Sequence, residues 1–184
     1  MFQTRGYSPR VCPSCVEETI PILLSHEETV MYLALKKALA TKVSLSSSKI
    51  SESEQLIVGA DTIVISREGE HLGKPKDKEE ALKTLLSIAG SYHFVMTGVA
   101  VLNLNNHGSL CFYETTKVFF TNYSQEDLLP YVSTKEPYDK AGGYAIQGTF
   151  EKYVSRIEGD KNNVIGFPMT RFEKELEYFL SLRR

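Results

Sequence analysis

Residues 55–66, Gln-Leu-Ile-Val-Gly-Ala-Asp-Thr-Ile-Val-Ile-Ser, form a β-branched run too apolar for a surface strand, and the run predicts a central position in a sheet. It contains one charge. A carboxylate at Asp61, between Ala60 and Thr62, costs several kcal/mol of desolvation unless it is paired, opens onto a cleft or binds a metal. An aspartate that merely satisfies a bulge beside Gly59 is the weaker reading. Arg67-Glu-Gly-Glu70 then turns the chain, and Leu72-Gly-Lys-Pro75 reads as the returning arm of a hairpin that brings Lys74 near Asp61.

Helices and further strands surround this run. Ser25 with Glu28 three residues on is a capping box, and it opens a helix to about residue 41 whose apolar face is Val30, Met31, Leu33, Ala34, Leu35, Ala38 and Leu39. Lys36 and Lys37, taken alone, are a solvated helix end, and the serine-rich residues 41–54 read as a mobile loop. Asp77 with Glu80 starts a second helix, with Ala81, Leu82, Leu85, Leu86 and Ala89 inward and Gly90 closing it. Residues 91–104 and 109–122 are expected to pair as an antiparallel hairpin, with Thr97-Gly98 marking a bulge or a close ligand approach.

Ser124 with Asp127 begins a short helical turn stopped by Pro130, Thr149–Ile157 reads as a strand, and Asn162–Pro168 reads as a loop. A terminal helix follows over Thr170–Leu182, with Phe172, Leu176, Phe179 and Leu180 inward, while the first twenty residues offer at most an edge strand at Tyr7–Pro13. Strands alternating with helices early and pairing as a hairpin later give an α/β protein, a mixed sheet with flanking helices, in one domain over residues 1–184.

The stretch most like a site is Glu136-Pro-Tyr-Asp-Lys-Ala-Gly-Gly-Tyr-Ala-Ile-Gln-Gly148. Its glycines permit a backbone that wraps a ligand, Lys140 supplies a compact cation beside Asp139 and Glu136, and Gln147 donates and accepts at once, as reading a nucleobase edge requires. A solvated surface turn is the plain alternative. With 21 basic and 23 acidic residues mixed along the chain, no basic stripe suggests a nucleic-acid polymer as partner. Cys12, Cys15 and Cys111 have no disulfide-framework spacing, and Cys12-Pro-Ser-Cys15 lacks the second pair that zinc requires, so the pair reads as structural. Absence of an apolar run of about 20 residues argues against a membrane span, and a cytoplasmic protein is expected.

Gly59-Ala-Asp-Thr62, Leu72-Gly-Lys-Pro75, Thr97-Gly98, Glu136–Gly142, Ile146-Gln-Gly148 and Asn163-Val-Ile-Gly-Phe-Pro168, in that order, closely resemble the Maf family of nucleoside triphosphate pyrophosphatases. The resemblance implies an elongated two-lobed fold related to the inosine-triphosphate pyrophosphatases, with a mixed sheet and a cleft between the lobes. It implies hydrolysis of a nucleotide between its α and β phosphorus atoms, with Mg²⁺ or Mn²⁺ as cofactor, in a possible homodimer. By the same resemblance Asp61 is the candidate base and a metal ligand, Lys74 and Lys37 contact phosphate, and Glu18 helps hold the metal. Lys140 with Asp139, and Gln147 in Ile-Gln-Gly, resemble the dTTP/UTP-type members, which makes Thr62, Gln147, Lys140 and Asp139 candidate substrate-binding residues.

The family opens with a strand and a Ser-x-Ser-Pro-Arg-Arg loop that runs into a helix. Tyr7-Ser-Pro-Arg10 is no match for it, because the seven residues between Arg10 and Glu18 leave no room for that helix. Arg10 is therefore read as a decoy and the chain as an N-terminally short member. A catalytically impaired nucleotide-binding or regulatory protein is the alternative function.

Overall fold

The computed structural model describes residues 1–14, 16–20, 23–46, 56–104 and 108–182. Among them, α1 spans His26–Ser46, β1 Leu56–Ser66, α2 Lys78–Ser87, β2 Tyr92–Asn103, β3 Ser109–Phe120, α3 Gln125–Val132, β4 Val154–Glu158, α4 Lys161–Ile165 and α5 Met169–Ser181. The sheet runs β1-β2-β3-β4. Asn103 N–H donates to the Gly108 carbonyl at 2.8 Å and Phe120 N–H to that of Ser91 at 2.9 Å, which fixes β2 and β3 as an antiparallel pair in one register. Lys117 opposite Glu158 and Val118 opposite Ile157 set β4 antiparallel to β3.

All three capping signatures are present. Ser25 N–H donates to Glu28 and Glu28 N–H to Ser25 Oγ at α1, Glu80 N–H donates to Asp77 at α2, and Ser124 and Asp127 cap α3 reciprocally. Each uses only residues within one turn, so local sequence decides it. Other expectations change. α1 continues to Ser46, past the expected end at 41, and the rest of the expected serine loop lies outside the described residues, as do Cys15 and the 105–107 turn. Pro130 sits inside α3, where the buried side chains of Leu128, Tyr131 and Val132 hold the turn past the missing donor. The expected strand from Thr149 is a 3₁₀ turn over Glu151–Tyr153 before β4, and the expected loop from Asn162 is helical to Ile165 as part of α4, capped by Asp160. Residues 1–14 form no strand; a 3₁₀ turn at Gln3–Arg5 brings Phe2 and Tyr7 edge-on to Phe172 of α5. Leu39 and Leu180 are exposed.

Two compact units share these strands: the first comprises residues 1–61, 97–114 and 168–184, the second 62–96 and 115–167. In the first, Ala34, Ala38, Ile57, Ala100 and Leu102 form a core where α1 meets the sheet. In the second, Leu85, Ile88, Val95, Val118, Leu128, Tyr144 and Phe150 centre a larger one. Contrary to the expectation of a central strand, β1 ends the sheet among the described residues. Its apolar character serves other cover. Ile57, Gly59, Asp61 and Ile63 alternate toward a buried side, and the returning arm bonds to its far end through Leu72 N–H to the Val64 carbonyl and Ser66 N–H to that of Glu70.

His93 is fully buried in the second unit, 2.9 Å from the Tyr144 hydroxyl through Nε2, with its ring tilted against those of Phe120 and Tyr144. Burial depresses its pKa to about 4. A histidine depressed in the folded state is protonated preferentially in the unfolded chain. Its contribution is therefore complete above the unfolded value, near 6.5, and is lost as pH falls toward 4. Unfolding free energy is expected to drop by about 3 kcal/mol over that window, and His93→Gln, which keeps a partner for Tyr144, is expected to flatten the slope in urea titrations. An unchanged slope in the variant would assign the acid sensitivity to other groups.

Candidate active site

In the first unit the alternation of β1 decides where Asp61 points. It shares the buried side with Gly59, whose missing side chain lets the backbone of α1 at Ala34 and Ala38 come into contact. One helical turn after Ala34 (at residue 37) stands Lys37, whose ammonium donates to Asp61 Oδ1 at 2.5 Å and pairs with Glu18 Oε1 at 2.7 Å. Asp61 is only 8% exposed, so Lys37 is what makes a charge tolerable there. Burial alone pulls the Lys37 pKa down; the hydrogen bonds and charges of Asp61 and Glu18 outweigh it and leave the ammonium above its ordinary range.

Lys36, next to it, is expected in solvent from the sequence alone. Its Nζ instead donates to the Glu17 carbonyl at 2.6 Å and to that of Thr19 at 3.4 Å, holding the main chain on either side of Glu18. Neither contact has a sequence signature, since a lysine bonding to carbonyls of an irregular segment follows no spacing rule.

The second unit contains a cavity of about 430 Å³, within the range of small-ligand sites. Its polar lining is Thr62, Lys74, Lys140 and Gln147; its apolar lining includes Val64, Val95, Tyr144, Ile146, Val164 and Ile165. The loop expectation for residues 136–148 resolves into two 3₁₀ turns, Glu136–Asp139 and Ala141–Gly143. Gly142 at φ 74° turns the chain so that its N–H donates to the carbonyls of Leu72 and Gly73, which seats Lys140 and Lys74 on adjoining segments. Lys140 pairs with Asp139 at 2.5 Å, and this hydrogen bond, with the charge of Lys74 nearby, holds the Asp139 carboxyl below the usual range. Asp139 itself is largely exposed and does not line the cavity.

Tyr144, Val164 and Ile165 lie in motifs read from the sequence but are not among the expected site residues. The Val164–Ile165 wall has a cause in Asn163, fully buried, whose Nδ2 donates to the Val95 carbonyl at 3.0 Å and to Thr116 Oγ1 at 3.1 Å, fixing α4. Of the residues expected to act, Glu18, Lys37 and Asp61 thus meet in the first unit, and Thr62, Lys74, Lys140 and Gln147 in the second. Asp61 takes Lys37 as its ammonium, and Lys74 lines the cavity.

A family model described as Maf-like protein matches residues 1–179. A dTTP/UTP pyrophosphatase of Geobacillus sp. is 40% identical over 168 residues, covering 91% of this chain and 85% of its own length. One of Bacillus anthracis is 39% identical over 179 residues, 97% and 88%. Another from Caldicellulosiruptor bescii is 41% identical over 174 residues, 94% and 84%. No helix among the described residues is long and apolar enough to cross a membrane.

Proposed function

Because the chain belongs to the Maf family, we infer that it is a nucleoside triphosphate pyrophosphatase, cleaving dTTP- or UTP-like nucleotides between the α and β phosphorus atoms to a monophosphate and pyrophosphate. The observation that carries this reading is the cavity that gathers two lysines, an amide and a hydroxyl on an otherwise apolar lining. Lys74 and Lys140 neutralise phosphate oxygens, and a lining that carries these two cations and no carboxylate among the described residues suits an anionic ligand. Gln147 accepts from N3–H of thymine or uracil and donates to the neighbouring carbonyl oxygen, with Thr62 as a second polar contact. The like-named relatives support the choice of base.

Hydrolysis needs a proton acceptor for water and charge neutralisation at phosphorus. Asp61 is the acceptor, held in orientation by Lys37 at Oδ1. Lys37 stays an ammonium at working pH, because its two carboxylates hold its pKa up, and it adds positive charge for the leaving group. Among the described residues no three metal-ligating side chains cluster. Glu18 and Asp61 each give Lys37 one carboxylate oxygen and keep the other, a hard donor of the kind that holds Mg²⁺ or Mn²⁺ through one or two carboxylates together with substrate phosphates. Such an ion, when bound, supplies Lewis-acid neutralisation of the phosphate charge.

Incubation with dTTP, UTP, CTP and 7-methyl-GTP, with either metal, tests the reading. The expected products from dTTP and UTP are monophosphate and pyrophosphate in equal amounts, at kcat/KM about tenfold or more above the other two. Nucleoside diphosphate with orthophosphate would overturn the bond assignment, and tight binding without turnover would favour a regulatory nucleotide-binding protein.

A further inference from the structure

Glu136 opens the loop that carries Lys140 and Gln147 yet does not line the cavity. Three contacts make it the tie of that loop. Its main-chain carbonyl accepts from Lys140 Nζ at 3.2 Å, and its Oε2 accepts from Thr149 Oγ1 at 2.7 Å. Its Oε1 is sealed from solvent against Gly148, where an added Cβ would overlap it and stand 3.1 Å from Cδ. Gly148 has no positive φ, so the glycine is there for space.

A sealed carboxylate oxygen without a donor is a cost. Its seating therefore reflects something the loop gains. Gln147 is exposed, between the buried Ile146 on one side and Gly148 on the other, so its own packing fixes little. Glu136 clamps the two residues that follow Gln147, and Pro137, buried beside it, stiffens the point from which the clamp reaches.

We propose that Glu136 is a positioning residue for base selection: with Thr149 it latches residues 148–149 and so presents the Gln147 amide in one orientation. This rests on the reading in which Gln147 meets the base. A contact that orients a hydrogen-bonding amide contributes to discrimination and leaves charge neutralisation at phosphate alone.

The test is the ratio of kcat/KM for dTTP to that for CTP in Glu136→Ala, Glu136→Gln, Thr149→Val, Gln147→Ala and Glu136→Ala/Gln147→Ala. Thr149→Val and Glu136→Ala are expected to lower the ratio about tenfold, mainly through KM for dTTP. Glu136→Gln, which keeps an acceptor for Thr149, is expected to stay within about twofold. Adding Glu136→Ala to Gln147→Ala is expected to lower the ratio no further, because both act through one amide. Equal losses for the two nucleotides, or additive effects in the double variant, overturn the latch while leaving Gln147 as the base reader. An unchanged ratio in Gln147→Ala overturns the base reading and the latch with it. Thr149 is exposed, so Thr149→Val decides the matter even where Glu136→Ala does not fold.

Discussion

Asp61→Asn is expected to lower kcat about a thousandfold on dTTP or UTP with KM changed only a few fold, as loss of a general base does. The substitution is nearly isosteric. Its amide oxygen still accepts from Lys37, so α1 keeps its contact with β1 while the proton acceptor and the negative charge disappear. Lys37→Met is a poorer probe, because it leaves an 8%-exposed carboxylate without its ammonium, at a cost of about 3–5 kcal/mol, and confounds catalysis with folding. Circular dichroism melts of Asp61→Asn should therefore resemble those of the parent. A residual rate within tenfold of the parent, still dependent on metal, would remove Asp61 from the chemistry.

How much of this was legible in the sequence depends on the range of the interaction. The three capping sites were readable because each needs residues three apart and nothing else. The placing of Lys74, Lys140 and Gln147 in one cavity followed their glycine-rich motifs, since Gly142 at positive φ bonds to Leu72 and Gly73 and brings the two motifs together. Long-range contacts were not readable in this way. β1 is apolar although it ends the sheet, because α1 and the returning arm cover it, and periodicity does not distinguish such cover from flanking strands. The sequence predicts a stop at Pro130, but in an eight-residue helix one lost donor is offset by three buried side chains and a complete cap. Lys36 bonds to main-chain carbonyls nineteen and seventeen residues away, a pairing that no residue type announces.

The glycines at 59 and 98 show the same limit, and a large stability effect is expected at them. The sequence offered Gly98 as a bulge or a ligand approach; in the structure the approaching group is a helix. A Cβ on Gly98 would overlap the Val30 carbonyl and lie 2.6 Å from Met31 N, and one on Gly59 would overlap the Ala34 carbonyl and lie 2.8 Å from Ala38 N. Neither glycine has a positive φ, so space and not conformation is what each provides. Main chain within a helix does not rotate aside as a side chain would. α1 must move off the sheet, thinning the contacts of Ala34 and Ala38 with Ile57, Ala100 and Leu102. Gly98→Ala is therefore expected to destabilise by about 3 kcal/mol or more, at the upper end of overpacking effects, and to lower Tm by roughly 10 °C in a chain of this size. Gly73→Ala, which meets no atom within 4 Å, should stay within about 0.5 kcal/mol and is the matched control. The same displacement moves Lys37 relative to Asp61, so the fraction of Gly98→Ala that remains folded is expected to turn over dTTP more slowly than parent protein at equal folded concentration. Equal Tm values for the two glycine variants would mean that α1 rides on the sheet with slack, and the close seat inferred for Asp61 and Lys37 would fall with it.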